Sequence, residues 1–162
     1  MDRVEYRAKL GMNKYKTYVL FSKEFADKVK NYPLAKAAIE RLGINAELLE
    51  FYGYSREQVP MLYNAVDCGL LTSFTEGSPQ FVKEAVACGC PVVSTDVGDA
   101  AEVVNRVENS YITTYEVEDV VNKVRLALKK GHLNQTNLDA KYIEKNVEIT
   151  IFGIYTDVCS KK

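Results

Sequence analysis

The chain has 162 residues, enough for one domain with a single core, and a formal net charge of -1 with acidic and basic residues interspersed. This balance provides no basic stripe for nucleic acid, and no apolar run approaches the roughly 20 residues of a membrane span. The charged N-terminus is not a secretory signal, and four cysteines without a CxxC pair beside a single histidine argue against a metal site. Buried thiols in a cytoplasmic protein are therefore expected.

Short apolar runs alternate with helical patterns along most of the chain. The runs lack regular alternation of apolar and polar residues, which is typical of strands covered on both faces. Strands are expected at residues 17–21, 46–51, 68–71, 91–95 and 110–114. Amphipathic helices are expected at residues 32–43, 55–66, 78–89 and 117–131, with a closing helix at about 143–160. The order predicts an α/β fold, a Rossmann-like parallel sheet with helices on both faces.

Local signals mark where some of these helices begin and end. Pro33 suits the first turn of the first helix, and Gly43 suits the position just after it. Ser55 followed three residues later by Gln58 is the pattern of a capping box. These signals support the helix boundaries given above.

The helix after the third strand begins at a place where parallel sheets commonly bind ligands, because the carboxyl end of a strand leads into it. Gly77 is expected to permit an unusual backbone conformation, Ser78 to cap the helix and Pro79 to occupy its first position. The free N–H groups of the first turn and the helix dipole favour an anion such as a phosphate.

A glutamate stands on each side of this helix start. Glu76 precedes the turn, and Glu84 lies five residues beyond Pro79, about 7–8 Å further along the helix axis. Carboxylates accept hydrogen bonds from sugar hydroxyls, so the spacing suggests a diphosphate with a polyol at each end, as in a nucleoside diphosphate sugar. The spacing also fits a purely structural interpretation, with Glu84 a solvated helix residue and Glu76 a loop residue near the dipole.

Residues 66–104, VDCGLLTSFTEGSPQFVKEAVACGCPVVSTDVGDAAEVV, resemble the C-terminal domain of GT-B glycosyltransferases of the large retaining family 4, also called group 1. The shared pattern comprises an aspartate before a strand, two glutamates with seven residues between them around a helix start, and an Ala-x-Gly-x-Pro-Val-Val strand. The matching positions are Asp67, Ser73, Glu76, Gly77, Glu84, Ala87, Gly89, Pro91, Val92, Val93, Gly98 and Glu102. Weaker similarity extends over most of the chain.

The resemblance implies a single half of a GT-B architecture, with residues 1–162 forming the nucleotide-sugar-binding C-terminal domain and its closing helix. By family likeness, Glu84 accepts hydrogen bonds from the ribose, Glu76 contacts the transferred sugar, and Lys30 neutralises the departing diphosphate. The same likeness assigns the sugar or the diphosphate to the backbone amides of Gly77, Ser78, Gln80 and Phe81.

The sequence departs from the family pattern at three positions, one of which is Thr72 in place of the proline that usually precedes the serine. The arginine that the family carries about five residues before its lysine is Phe25 here, and Lys23 or Lys28 is the available replacement. Lys23 is taken as a further phosphate contact. The second glycine of the family's Gly-Gly loop is Asp99. For Asp67 a structural role is expected, as a turn or a cap.

The activity implied is that of a hexosyltransferase, which moves a sugar from its nucleotide donor, with retention, to an acceptor held by an N-terminal domain outside this sequence. Neither a cofactor nor a metal ion is expected. Alone, the domain is expected to be inactive, and a membrane is expected to be contacted only through the other half. Two alternatives stay open: a non-catalytic nucleotide-sugar-binding or regulatory module, and half of a nucleotide-sugar epimerase. The sequence does not reveal whether the donor is a UDP or a GDP sugar.

Overall fold

The computed structural model of the protein describes residues 2–133. Its centre is a five-stranded parallel sheet in the order β2-β1-β3-β4-β5. The strands are β1 Thr17–Phe21, β2 Ala46–Glu50, β3 Cys68–Leu71, β4 Val92–Thr95 and β5 Tyr111–Thr113. The predicted α/β sheet and all five predicted strands are confirmed. The closing helix expected at about 143–160 lies outside the described residues.

The described part of the chain also contains six α-helices and one short 3-10 turn, Lys28–Lys30. The helices are α1 Arg3–Lys9, α2 Tyr32–Arg41, α3 Gln58–Ala65, α4 Gln80–Ala87, α5 Ala100–Val104 and α6 Val117–Lys130. The sequence patterns missed α1 and α5, which are too short to show an apolar period. A signal for α1 was present, since Asp2 and Glu5 form a capping box at its start.

Side chains from the sheet pack under helices on both of its faces. In β1, Val19 and Phe21 belong to the core cluster beneath α2 and α6, whereas Tyr18 and Leu20 belong to the cluster beneath α3, α4 and α5. Successive residues of a strand point to opposite faces, so both sets must be apolar when both faces are covered. This is why β1 shows a nearly continuous apolar run.

The predicted helix boundaries were partly correct. Pro33 lies in the first turn of α2, and Gly43, with φ of 72°, follows its end as expected. One of the two hydrogen bonds of the capping box predicted at Ser55 is present. The Gln58 side chain accepts a hydrogen bond from the Ser55 N–H at 2.9 Å. Helix α3 itself begins at Gln58 and receives no hydrogen bond from a capping side chain.

Asp67 joins the first helix to the amino end of the sheet. Its carboxylate accepts hydrogen bonds from Arg3 at 2.7 Å, from Arg7 at 2.6 Å and from the backbone N–H of Tyr18 at 2.8 Å. Arg7 is buried and also donates to the carbonyl oxygen of Ala65 at 2.8 Å. The structural role expected for Asp67 is thereby confirmed, but it is that of a partner for two arginines and not of a turn or a cap.

Candidate functional site

A cleft of about 750 Å³ opens beside the carboxyl ends of β1 and β3. From β1 the chain first forms β2 on one side and then crosses to β3 on the other, so these two strands flank the switch point of the sheet. The residues that line the cleft are Ser22, Lys23, Lys30, Phe51, Tyr54, Arg56, Val59, Pro60, Tyr63, Leu71, Glu76, Pro79, Gln80, Phe81, Glu84, Ala87 and Cys88. The cleft therefore lies where open parallel sheets bind their ligands.

Most of the predicted site residues meet in this cleft, although they are distant in the sequence. Those that line it are Lys23, Lys30, Glu76, Gln80, Phe81 and Glu84. Gly77 and Ser78 are not among the described residues that line the cleft, and both are exposed. The structure thus places both glutamates and both proposed cations around one space.

Lys30 and Glu76 form an ion pair at the wall of the cleft. Their side chains are only 16% and 15% exposed, so water screens the pair less than it screens a surface pair. Ser73 donates its hydroxyl to the same oxygen of Glu76, Oε1, at 2.6 Å. Thr72 donates to the carbonyl oxygen of Lys30 at 2.8 Å, which fixes the 3-10 turn against the loop after β3. The Lys30 ammonium is thereby held in place before any ligand arrives.

Glu84 lies on the face of α4 that borders the cleft, and it is half-buried. Tyr63, which is fully buried, donates its hydroxyl to Glu84 Oε2 at 3.1 Å. Burial raises the pKa of the Glu84 carboxyl, while the hydrogen bond from Tyr63 opposes that rise. Burial, together with the neighbouring Glu84, raises the pKa of Tyr63 well above its usual range, so Tyr63 stays a hydrogen-bond donor. The interpretation of Glu84 as a solvated helix residue is wrong.

The start of α4 differs from the expected one. The helix begins at Gln80 with Pro79 as its N-cap, and no side chain in the described part of the chain caps it. Ser78, expected to be the cap, donates its hydroxyl instead to Asp99 at 3.1 Å and accepts a hydrogen bond from Lys83 at 2.5 Å. Hydrogen bonds to charged groups are stronger than those to a backbone N–H, which explains the change.

The glycine that this region requires is Gly98 rather than Gly77. Gly77 has no positive φ, and a Cβ built on it would meet nothing within 4 Å, so the unusual backbone expected there is absent. Gly98 has a φ of 56°, and a Cβ on it would lie 2.5 Å from the carbonyl oxygen of Gly77. The loop after β4 can therefore pack against the loop after β3 only because residue 98 lacks a side chain.

The first turn of α4 leaves backbone donors free. Among residues 2–133, no acceptor takes the N–H groups of Gly77, Ser78, Gln80 or Phe81. Gln80 and Phe81 line the cleft, so the positive end of the helix dipole faces it. This end of α4 is suited to an anion.

The structure distinguishes between the two lysines that the sequence offered in place of an arginine. Lys23 lines the cleft, whereas Lys28 is not among the described residues that do. Phe25 stacks on Tyr32, with the ring centroids 4.2 Å apart, and so belongs to the packing around β1. The sequence reasoning missed Arg56, a third basic residue of the cleft, because the signal in the loop before α3, at Ser55, concerned the start of the helix and not a ligand.

The described residues carry neither a metal-binding group nor a membrane span. Between residues 2 and 133, no three histidine, cysteine, aspartate or glutamate side chains are grouped so that they could hold a metal ion. Over the same range, every helix is too short or too polar to cross a bilayer. Cys68 and Cys90 are buried, Cys88 is half-buried, and all three are free thiols.

The family model described as glycosyl transferases group 1 matches residues 19–130, which is well over half of the chain. The chain belongs to the group 1 glycosyltransferases. The matched segment contains every strand of the sheet except the first two residues of β1, as well as all the residues that line the cleft. No curated protein matches the chain.

Several solved structures have the same fold. The chain is similar to sucrose-phosphate synthase from Thermosynechococcus elongatus, with a TM-score of 0.73 and 16% identity over 98% of this chain and 49% of that one. It is similar to HepE of Anabaena, solved in complex with UDP and glucose, with a TM-score of 0.68 and 21% identity over 99% of this chain and 52% of that one. It is also similar to WaaG, a glycosyltransferase involved in lipopolysaccharide biosynthesis, with a TM-score of 0.65 and 17% identity over 91% and 48%.

The chain spans about half the length of these structures. At such identities the likeness shows the fold alone, and that fold is one half of the GT-B architecture of glycosyltransferases. The resemblance noted in the sequence and the expected Rossmann-like fold are both confirmed.

Proposed function

We propose that this chain binds a nucleoside diphosphate sugar in the cleft beside β1 and β3, and that it takes part in transferring the sugar to an acceptor. The observation that supports this most is the grouping of Lys30, Glu76 and Glu84 around the N-terminus of α4. Membership of the group 1 glycosyltransferases supports sugar transfer as the reaction. The similar structure of HepE, solved with UDP and glucose, supports this class of ligand.

Glu84 is assigned to the ribose of the donor. One of its oxygens, Oε2, accepts the hydroxyl of Tyr63 and is fixed by it. A carboxylate can accept about four hydrogen bonds, which leaves room for ribose hydroxyls. Tyr63 therefore acts as a positioning residue for Glu84.

The diphosphate is assigned to the free N–H groups at the start of α4 and to Lys30, with Lys23 as a further contact. Lys30 already has a negative partner in Glu76, so its ammonium group must contact both that carboxylate and the phosphate oxygens. The helix dipole adds positive potential at the same place. Glu76 then lies beside the diphosphate on the side of the transferred sugar.

Transfer breaks the bond between the anomeric carbon and a diphosphate oxygen and forms a bond between that carbon and the acceptor oxygen. The acceptor's proton passes to the departing diphosphate, and the sugar keeps its anomeric configuration. Negative charge grows on the diphosphate, where Lys30 and the start of α4 lie, and electrostatic stabilisation of this kind often contributes more to catalysis than any other effect. The acceptor is held by the other half of the enzyme, so the chain alone transfers little. The proposal includes no metal ion and no cofactor.

The test is a calorimetric binding screen of UDP, GDP, ADP and their sugars against the 162-residue chain. One nucleotide series is expected to bind. The variant Glu84→Ala should lose about 1–3 kcal/mol of binding free energy, because the ribose hydroxyls lose a buried acceptor. The matched control is Glu108→Ala, which removes an exposed carboxylate that does not line the cleft.

Two results would contradict the proposal in different ways. If Glu84→Ala binds as tightly as the wild type, the ribose assignment is wrong. If no nucleoside diphosphate binds to the folded wild-type chain, the nucleotide-sugar site itself is wrong.

A further inference from the structure

Ser22 is a buried serine whose hydroxyl finds no hydrogen-bond partner within residues 2–133. It follows the last residue of β1 and is 5% exposed. Its Oγ has no hydrogen-bond partner among the described residues, and that atom is buried. Buried hydroxyl groups almost always have a partner, because an unsatisfied one costs free energy. An exception in a native fold therefore requires an explanation.

The surroundings of Ser22 indicate what its partner is. Ser22 lines the cleft, next to Lys23 and in the same space as Lys30. Its backbone N–H donates to the carbonyl oxygen of Leu70 at 3.2 Å, and this bond continues the pairing of β1 with β3. On the other side, the N–H of Phe51 donates to the carbonyl oxygen of Phe21 at 3.0 Å. The backbone at residue 22 is thus fixed on both sides, at the switch point of the sheet.

We propose that the Ser22 hydroxyl donates a hydrogen bond to a diphosphate oxygen of the bound donor, beside Lys23 and Lys30. This inference rests on the proposed function and adds a donor-binding residue to it. Lys23 and Lys30 line the same cleft as Ser22, and two positively charged side chains there favour an anionic ligand group over a neutral one. A serine hydroxyl can turn about its one side-chain bond to reach such a group, and a hydrogen bond to a charged acceptor is stronger than one to a neutral acceptor.

The proposal predicts opposite effects on binding and on stability. In Ser22→Ala, affinity for nucleoside diphosphates should fall about tenfold, since one hydrogen bond to a charged group is lost. The melting temperature should stay the same or rise, because the variant no longer buries an unsatisfied hydroxyl. Ser22→Cys fills nearly the same volume with a weak donor, so it should also lose affinity without leaving a cavity.

The matched control is Ser110→Ala, which also removes a buried serine hydroxyl. Ser110 Oγ accepts a hydrogen bond from the N–H of Val92 at 3.1 Å, and Ser110 does not line the cleft. In Ser110→Ala the melting temperature should fall, while the affinity for nucleotides should stay unchanged. The two serines therefore give reciprocal results if each has the role assigned to it.

The experiment measures affinity and melting temperature for the full chain and the three variants. The probes are UDP, GDP and ADP, their nucleosides, and inorganic pyrophosphate.

Loss of affinity for the nucleoside diphosphates and for pyrophosphate, with nucleoside binding unchanged, supports the proposal. If Ser22→Ala binds nucleoside diphosphates as tightly as the wild type, the inference is overturned while the proposed function stands. The same holds if Ser22→Ala loses as much affinity for nucleosides as for nucleoside diphosphates. A lower melting temperature for Ser22→Ala also overturns it, because the hydroxyl then has a structural partner. If no nucleoside diphosphate binds to the wild type, the proposed function fails and this inference fails with it.

Discussion

The polar and charged side chains at the two ends of the sheet differ in how completely the fold satisfies them. At the amino end, Asp67 accepts three hydrogen bonds, and the buried Arg7 donates to carbonyl oxygens as well as to Asp67. At the carboxyl end, the Ser22 hydroxyl has no partner among the described residues, and burial raises the pKa of Glu84. The polar groups of the amino end are thus satisfied by the fold, whereas those of the carboxyl end are satisfied only in part.

This difference shows where the protein gains stability and where it retains groups for binding. A polar group that is fully paired within the fold contributes to stability but offers little to a ligand. A group held in place with spare hydrogen-bonding capacity costs stability and is available to a ligand. Variants at the amino end should therefore change unfolding, and variants at the carboxyl end should change binding.

The largest effect is expected for Asp67→Ala. It leaves the buried guanidinium of Arg7 without its carboxylate, and breaking such a pair typically costs about 3–5 kcal/mol. Urea unfolding measures the change, and nucleotide affinity of the folded fraction should not change. Glu118→Ala is the control, since its exposed pair with Arg41 should be worth less than about 1 kcal/mol. Similar losses in the two variants would remove the distinction between a buried network and a surface pair.

The next effect is a pH dependence at the amino end, where His132 lies. Its Nε2 is 2.8 Å from the carbonyl oxygen of Val66, and since a carbonyl only accepts, Nε2 carries the hydrogen of the neutral ring. Burial and the nearby Arg3 lower the pKa of His132 to about 4. As the pH falls, His132 takes up a proton in the unfolded chain before it does so in the folded chain. The free energy of unfolding should therefore decrease by about 3 kcal/mol between about pH 6.5 and about pH 4.

The measurement is urea unfolding at pH 7 and at pH 4.5 for the wild type and His132→Gln. The glutamine cannot take up a proton, so the loss of stability between the two pH values should be smaller in the variant. Equal losses would mean that His132 makes no contribution to the acid sensitivity.

The smallest effect is a pH dependence at the carboxyl end, where Glu84 should make the fold more stable but donor binding weaker as the pH falls. Because burial raises the pKa of Glu84, its charge destabilises the fold above that pKa, and this cost disappears as the pH falls. Donor binding needs the charged carboxylate, so affinity should weaken as the pH falls, by about tenfold at the pH where most Glu84 is protonated. Glu84→Gln should bind more weakly at neutral pH and show a flatter pH profile.

A nucleoside diphosphate sugar is the suitable probe, because its diphosphate is esterified at both ends and has no proton to take up in this pH range. Calorimetric titrations at several pH values compare the wild type with Glu84→Gln. A profile for the variant as steep as that of the wild type would assign the pH dependence to another group.

Much of the sheet could be predicted from the sequence, because burial on both faces leaves a nearly continuous apolar run in the central strands β1 and β3. The predicted bounds of β1 and β3, residues 17–21 and 68–71, agree with the structure. Helices α1 and α5 were missed, since seven and five residues are too few to show a helical period. The cap at Ser78 was predicted wrongly because the competing partners, Lys83 and Asp99, include a residue from a different loop.

The sequence by itself determined the α/β class, the family resemblance and six of the residues that line the cleft, because apolar runs, helical periods and the family motif around Glu76 and Glu84 are local properties of the chain. Only the tertiary structure decided that Lys23 and not Lys28 reaches the cleft, and that Tyr63 holds Glu84. It alone revealed that Ser22 is buried without a partner among the described residues. Such contacts join residues far apart in the chain, so they depend on how the strands are ordered and how the loops pack, which local patterns do not specify.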